Sequence, residues 1–254
     1  MQHKIMKNSL ANKKVLLTRQ AGFADQLVSK ISAYGATCIN KALFTVESTI
    51  DANKISQIRN ALHNSQLAIF VSRNAAELVL PYIEQRSAIK LATVGPATAE
   101  YLQQNGFANV ICPLSVPYDS RSLVECLKNS QLLSNKLHIT LFNGEEGLTW
   151  LAEELGRNGC QAEVVSVYRR HILDINDLPE TNIIVISCVT SLLSLKKFAE
   201  KILKPQILAI PLLVVSERIY KRAIEMGFLT VYTTKGMSEA DIITALLERC
   251  GDKV

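Results

Sequence analysis

What this sequence of 254 residues lacks narrows its chemistry more than what it displays. Its six cysteines (Cys38, Cys112, Cys126, Cys160, Cys188 and Cys250) contain no C-x-x-C pair, which argues against a disulfide framework and fits reduced thiols in a cytoplasmic protein. The four histidines, His3, His63, His138 and His171, have no metal-ligand spacing with one another or with a cysteine pair, so nothing supports a zinc or iron site. No apolar stretch reaches the roughly 20 residues of a membrane-spanning helix; Ile183 to Leu195 is broken by Ser and Thr. The opening MQHKIMKNSLANKK has no apolar middle and reads as a short polar lead-in, not a secretory signal.

Nucleotide and hydrolase signatures are missing as well. Gly95-Pro96 is not followed by Gly-Lys-Ser, and no G-x-G-x-x-G opens a helix after a strand, so neither phosphate fingerprint is met. There is no G-x-S-x-G elbow, no H-E-x-x-H and no cysteine with a local histidine motif. The net charge of +5 is spread along the chain without a Lys/Arg block or a basic-aromatic stripe. That pattern excludes a nucleic-acid track and reads as a solvated surface, with at most a modest field for an acidic small molecule.

What is present is ordinary globular composition, 48% hydrophobic and 20% charged, with length for one large domain or two small ones. The chain is also written twice. VLLTRQAGFADQLVSKISAYGA matches ITLFNGEEGLTWLAEELGRNGC at constant offset, pairing Leu27 with Leu151, Ile31 with Leu155 and Gly35 with Gly159. LATVGPATAEYLQQNGFANVICP matches LLVVSERIYKRAIEMGFLTVYTT, pairing Gly106-Phe107 with Gly227-Phe228. LAIFVSRNAAELVL and IIVISCVTSLLSL each give a buried strand run ending in a serine, Ser72 or Ser187.

Short Val/Ile/Leu strands alternating with amphipathic helices of ten or more residues predict parallel sheets with right-handed βαβ crossovers, in two units of similar size. Two stretches break the pattern: Cys38 to Ser48 and Glu163 to Leu173 are extended and β-branched. They read either as paired connecting strands or as further sheet strands.

Ligands of open parallel sheets bind beyond the carboxyl ends of the strands, where helix N-termini present backbone N–H groups. The junctions there are Thr18-Arg19-Gln20, Ser72-Arg73-Asn74, Gly95-Pro96-Ala97-Thr98, Asn143-Gly144, Ser187-Cys188-Val189 and Ser216-Glu217-Arg218. The plain explanation of each small polar residue is helix capping. Six such junctions facing one cleft would form a donor-rich surface suited to carboxylates. Glu145-Glu146 is expected in the first turn of a helix, complementing its dipole. His171 reads as a bystander and Trp150 as core packing.

These junctions also carry a resemblance. LLTR, FVSRNA, VGPATAEYL followed by Gly-Phe, and GxxxEVxxVYRR (Gly159 to Arg170) stand in the order of the recurrent segments of uroporphyrinogen-III synthases. The likeness runs from about Lys13 to Leu247. It implies an α/β fold of two similar parallel-sheet α/β domains joined by a two-stranded β ladder. Residues 13–41 plus 170–254 would form domain one, 48–164 domain two, and 42–47 and 165–169 the connecting strands.

The resemblance further implies a cofactor-free lyase that cyclises hydroxymethylbilane, a linear tetrapyrrole, with loss of water and inversion of ring D. It implies a monomer that binds neither nucleic acid nor membrane. Tyr168 matches the family's tyrosine in the V-x-Y segment; a phenol can assist departure of a hydroxyl, by about 10-fold to 100-fold, though interdomain packing would equally explain it. Arg19, Ser72, Asn74, Thr98, Asn143, Gly144, Ser187 and Ser216 are the implied substrate-binding positions.

The chain departs from the family pattern at three points: Gln20 where proline is common, Cys188-Val189 after Ser187 where proline and a small residue are usual, and Ser216-Glu217-Arg218 in place of Gly-Pro-Thr. Glu217 would repel a carboxylate unless Arg218 or Arg19 offsets it. Two other readings remain from the residues: a hinged two-domain small-molecule binding or sensor protein without catalysis, and a two-lobed transferase using a nucleotide-activated donor, which the missing phosphate loops disfavour.

Overall fold

The computed structural model describes residues 9–20, 22–84, 88–115, 118–133, 135–147 and 149–251; most of the expected polar lead-in lies outside them. The chain divides into two compact units, the first holding residues up to Thr45 together with those from His171 onward, the second Val46–Arg170.

The first unit contains β1 (Lys14–Leu17), α1 (Asp25–Ser32) and β2 (Thr37–Asn40). The second follows with β3 (Phe44–Ser48), which begins at the boundary, α2 (Ala52–Asn64), β4 (Leu67–Phe70), α3 (Arg73–Val79) and β5 (Lys90–Thr93). It continues through α4 (Pro96–Gln104), β6 (Val110–Ile111), α5 (Ser120–Asn129), β7 (His138–Gly144), α6 (Trp150–Arg157) and β8 (Gln161–Ile172). The first unit resumes with β9 (Ile183–Ile186), α7 (Val189–Lys201), β10 (Leu212–Val214), α8 (Glu217–Glu225), β11 (Val231–Thr233) and α9 (Glu239–Cys250).

The first unit's sheet has the order β11-β10-β9-β1-β2, and every neighbouring pair is parallel. The second has the order β3-β8-β7-β4-β5-β6. It is parallel from β8 to β6. Hydrogen bonds from Thr49 N to Val167 O and from Leu173 N to Leu43 O (3.0 Å each) show that β3 runs against β8.

Matched through the repeats, β6-β5-β4-β7-β8 and β11-β10-β9-β1-β2 are the same sheet order. The two extended stretches resolve into both of their readings. β8 is a sheet strand beside β7 and also the partner of β3, whereas Cys38 to Asn40 belongs to β2.

The apolar runs follow from burial on both faces. Along β4, Ala68 and Phe70 enter one core with Phe142 and Leu91, while Leu67 and Ile69 enter the other with Ile139 and Leu141. The rings of Phe70 and Phe142 stack at 5.4 Å. Leu27 with Ile31 and Leu151 with Leu155 are the buried pairs of α1 and α6, each one helical turn apart. Burying a leucine of this kind is worth about 2 kcal/mol.

The Gly-Phe pairs end their helices identically. Gly106 and Gly227 take φ of 96° and 87°, and Phe107 N and Phe228 N each donate over 3.1 Å, to Leu102 O and Ala223 O. This is the closing bond of a left-handed helix cap, in which a residue with a Cβ would be strained.

Candidate functional site

The register of the second sheet aligns its carboxyl ends. Phe70 stands beside Phe142 and Thr93, so Ser72 and Gly95, which follow β4 and β5, share one edge with Asn143-Gly144, the last two residues of β7. Ser72 is the N-cap of α3, its Oγ accepting from Ala75 N at 3.2 Å. Asn74 lies in the first turn of α3, half-buried.

Tyr168 reaches this edge through an irregularity. β7 and β8 pair residue for residue until Asn143 meets Ser166; Gly144 then pairs with Tyr168, leaving Val167 as the extra residue of a bulge. Such a bulge re-aims the side chains that follow it. The Tyr168 ring lies directly over Gly144, where an added Cβ would stand 2.5 Å from Cε2 and 2.7 Å from Cζ. Glycine is required there because the ring occupies the space of a side chain.

The Tyr168 hydroxyl is 3.0 Å from Ser72 Oγ and accepts from Arg170 Nη2 at 2.9 Å. The Arg170 guanidinium also stacks on the Tyr168 ring, 5.1 Å from its centroid. Glu146 secures that arginine, accepting from its backbone N at 3.0 Å with a carboxylate oxygen 3.7 Å from Nη1. Asn143 is buried, and its Oδ1 accepts from Ser166 Oγ at 2.9 Å. Of the residues expected from sequence, Ser72, Gly144 and Tyr168 are therefore in direct contact.

At α4 the N-cap is Gly95, with Pro96 at the first turn and no side-chain cap. Thr98 is not the cap; it is buried in the first turn, and its N–H bonds Gly95 O at 3.2 Å. Tyr101, further along α4, carries Arg73 at 5.0 Å over its ring. Burial pushes its phenol above the ordinary value, with Glu77 adding to the shift and Arg73 opposing it.

The first unit presents the matching edge with different contents. Arg19 follows β1, its backbone N and O both held by the Asn40 side chain at 3.0 and 3.1 Å. Its guanidinium bonds Phe23 O at 3.3 Å and lies 3.8 Å from Glu239. Burial lowers the Arg19 pKa, and Glu239 works against that shift. Ser216 caps α8 by accepting from Ile219 N at 3.4 Å, and Glu217 follows in the first turn.

Ser187 corrects a register. The N-cap of α7 is Cys188, whose φ and ψ of −151° and 159° are those of Ser72. Cys188, not Ser187, is thus the counterpart of Ser72. The strand matches one residue short because its sequence, Ile-Ile-Val-Ile-Ser, ends in a serine before the backbone turns. The Cys188 thiol makes no cap bond and sits 3.4 Å from Ser191 Oγ. Side-chain capping accounts for Ser72 and Ser216 alone among the expected site residues.

A protein-family model described as uroporphyrinogen-III synthase HemD matches residues 25–244. The chain belongs to the uroporphyrinogen-III synthase family. Solved structures agree at the level of the fold. A mutant uroporphyrinogen III synthase of the extremely thermophilic bacterium Thermus thermophilus is 13% identical with a TM-score of 0.59, covering 94% of this chain and 98% of that one. The uroporphyrinogen-III synthetase of Helicobacter pylori 26695 is 14% identical with a TM-score of 0.57, covering 93% and 100%.

Uroporphyrinogen-III synthases are cyclising lyases of haem biosynthesis, and a non-catalytic binding protein is not favoured as the reading of this chain. Sequence reasoning missed three residues around Tyr168. Arg170 is visible there only as part of VYRR, and Ser166 not at all. Glu146 is expected in a helix, but α6 begins at Trp150 and Glu145-Glu146 form the turn after β7. Among the described residues no helix is long and apolar enough to cross a membrane. His171 lies exposed on β8, and Trp150 is half-buried, with Arg121 5.7 Å above its ring.

Proposed function

We propose that this chain cyclises hydroxymethylbilane to uroporphyrinogen III without a cofactor, Tyr168 supplying the proton on which the terminal hydroxyl leaves as water. The C–O bond breaks with its electron pair on oxygen, and the pyrrole that carried it, keeping its N–H, becomes an electrophilic azafulvenium cation. Ring D attacks through its substituted carbon to give a spirocyclic pyrrolenine. Fragmentation and recombination at the other carbon close the ring with D inverted, and the proton lost on rearomatisation restores the phenol. Water is the only by-product.

The observation that carries this reading is the hydrogen-bonded group of Arg170, Tyr168 and Ser72 at the strand ends of a uroporphyrinogen-III synthase fold. Phenol, hydroxyl and guanidinium together can give a proton and stabilise the charge left behind. Ser72, Asn74, Thr98, Asn143 and Gly144 in the second unit, and Arg19, Ser187 and Ser216 in the first, bind the substrate's carboxylates and fold it for closure, the larger part of the catalytic task being positioning.

The same reading divides the chain into residues 13–41 plus 170–254, residues 48–164, and the connecting strands 42–47 and 165–169, and makes it a cytoplasmic monomer. The decisive experiment supplies freshly generated hydroxymethylbilane and separates type III from type I uroporphyrin after oxidation. Unaided closure gives type I, so dominant type III product is expected; type I alone at the spontaneous rate would overturn the proposal.

A further inference from the structure

The hydroxyls of Tyr168 and Ser72 differ in access. Tyr168 is 2% exposed, its ring enclosed by the second unit's core and Gly144. Ser72 is half-buried, at the junction where β4 gives way to α3. The phenol oxygen accepts from Arg170, a group that only donates, so the phenol's own hydrogen is directed at its other neighbour, Ser72 Oγ, at 3.0 Å. Ser72 Oγ also accepts from Ala75 N. With both oxygen lone pairs so engaged, the Ser72 hydroxyl hydrogen is left to donate outside the group.

We infer that Ser72, Tyr168 and Arg170 form one proton relay in which Ser72, not Tyr168, meets the leaving hydroxyl. This rests on the proposed role of Tyr168 and changes the assignment of Ser72 from carboxylate binding to chemistry. As the C–O bond breaks, the Ser72 hydrogen passes to the departing oxygen, and the Tyr168 hydrogen passes to Ser72 Oγ. The negative charge comes to rest on the phenol oxygen, 2.9 Å from Arg170 Nη2, in a charge-assisted hydrogen bond. The proton released at rearomatisation returns along the same path. Arg170 is a positioning residue: it acts through Tyr168, and Glu146 holds it in place.

The test compares kcat, KM and the type III to type I ratio for Tyr168→Phe, Ser72→Asn, Ser72→Thr, Arg170→Gln and the pairwise combinations with Tyr168→Phe. Asparagine retains the helix cap but cannot relay a proton through a hydroxyl; threonine retains both. Circular dichroism melts establish that each variant is folded. The expected result is a loss of about 10-fold to 100-fold in kcat for Tyr168→Phe and Ser72→Asn, with KM within about 2-fold. Ser72→Thr should restore most of the rate, Arg170→Gln should fall between, and neither Ser72→Asn nor Arg170→Gln should cost more than about 2-fold in the Tyr168→Phe background.

If Tyr168→Phe lowers kcat but Ser72→Asn raises only KM, or their losses multiply, the relay is overturned and the tyrosine role stands. An unchanged kcat in Tyr168→Phe would overturn both. An Arg170→Gln loss that persists undiminished without the phenol would remove Arg170 from the relay.

Discussion

The two units share a sheet order but finish their strands differently, and the difference lies in how each junction satisfies its own backbone. β8, which begins in the second unit and crosses its boundary at Arg170, runs for 12 residues, three times the length of its four-residue counterpart β2, and a bulge turns Tyr168 onto Gly144. In the first unit β2 ends at Asn40, whose amide closes on the backbone of Arg19. At the equivalent helix starts, Ser72 stands where the first unit has Cys188, and Gly95 where it has Ser216.

One edge therefore carries linked hydroxyls and an uncapped glycine junction. The other carries a thiol, a capping serine with no hydrogen-bonded hydroxyl beside it among the described residues, Glu217, and an arginine already facing Glu239. A repeated frame fixes where strands end; the residues placed there decide which groups each edge presents. The expected offset to Glu217 does not come from Arg19, whose nearest carboxylate partner is Glu239, itself shared with Lys30 at 2.7 Å.

The sharpest way to break this contrast is Gly144→Val. A side chain there collides with a buried ring, so type III formation should fall by at least about 100-fold, with a loss of about 1–3 kcal/mol in denaturant unfolding. Unchanged activity would mean that the bulge and the Tyr168 placement are dispensable. Next in size is Tyr168→Phe, whose loss of about 10-fold to 100-fold in kcat is read as initial rates of type III product.

Arg19→Ala probes the opposite edge. Its expected effect is on binding alone, a rise of about 10-fold in KM with kcat nearly unchanged; a selective fall in kcat would instead assign chemistry to the first unit. The smallest effect tests the cap. Cys188→Ser copies the Ser72 junction at the same φ and ψ and should stabilise by up to about 1 kcal/mol, raising the melting temperature by about 2–4 °C. No rise would mean that the first-turn N–H groups of α7 gain nothing from a hydroxyl at this junction.

Much of this is legible in the residues. The Leu27/Ile31 and Leu151/Leu155 pairs, the Gly-Phe helix ends and the apolar runs of β4 and β9 are local patterns with a single physical solution, and repetition of those patterns implies repetition of the frame. Ser72 and Tyr168 can both be picked out from sequence, the first by its place between strand and helix, the second by its motif. Ser187 misleads by one residue because a serine at a strand end looks the same whether or not it is the residue where the backbone turns. Glu146 suggests a helix because acidic pairs favour first turns, whereas the backbone of Arg170 claims it in the turn after β7.

Periodicity in the residues settles the element types, the two similar units and the strand edge at which polar residues gather. These are consequences of burial and backbone bonding within a few residues. The meeting of Tyr168 with Ser72 and Arg170 is a matter of tertiary packing. That contact depends on a one-residue slip between β7 and β8 and on a ring filling the space over a glycine. A slip of that kind leaves no periodic trace, because it is set by the packing of residues that are far apart in the chain.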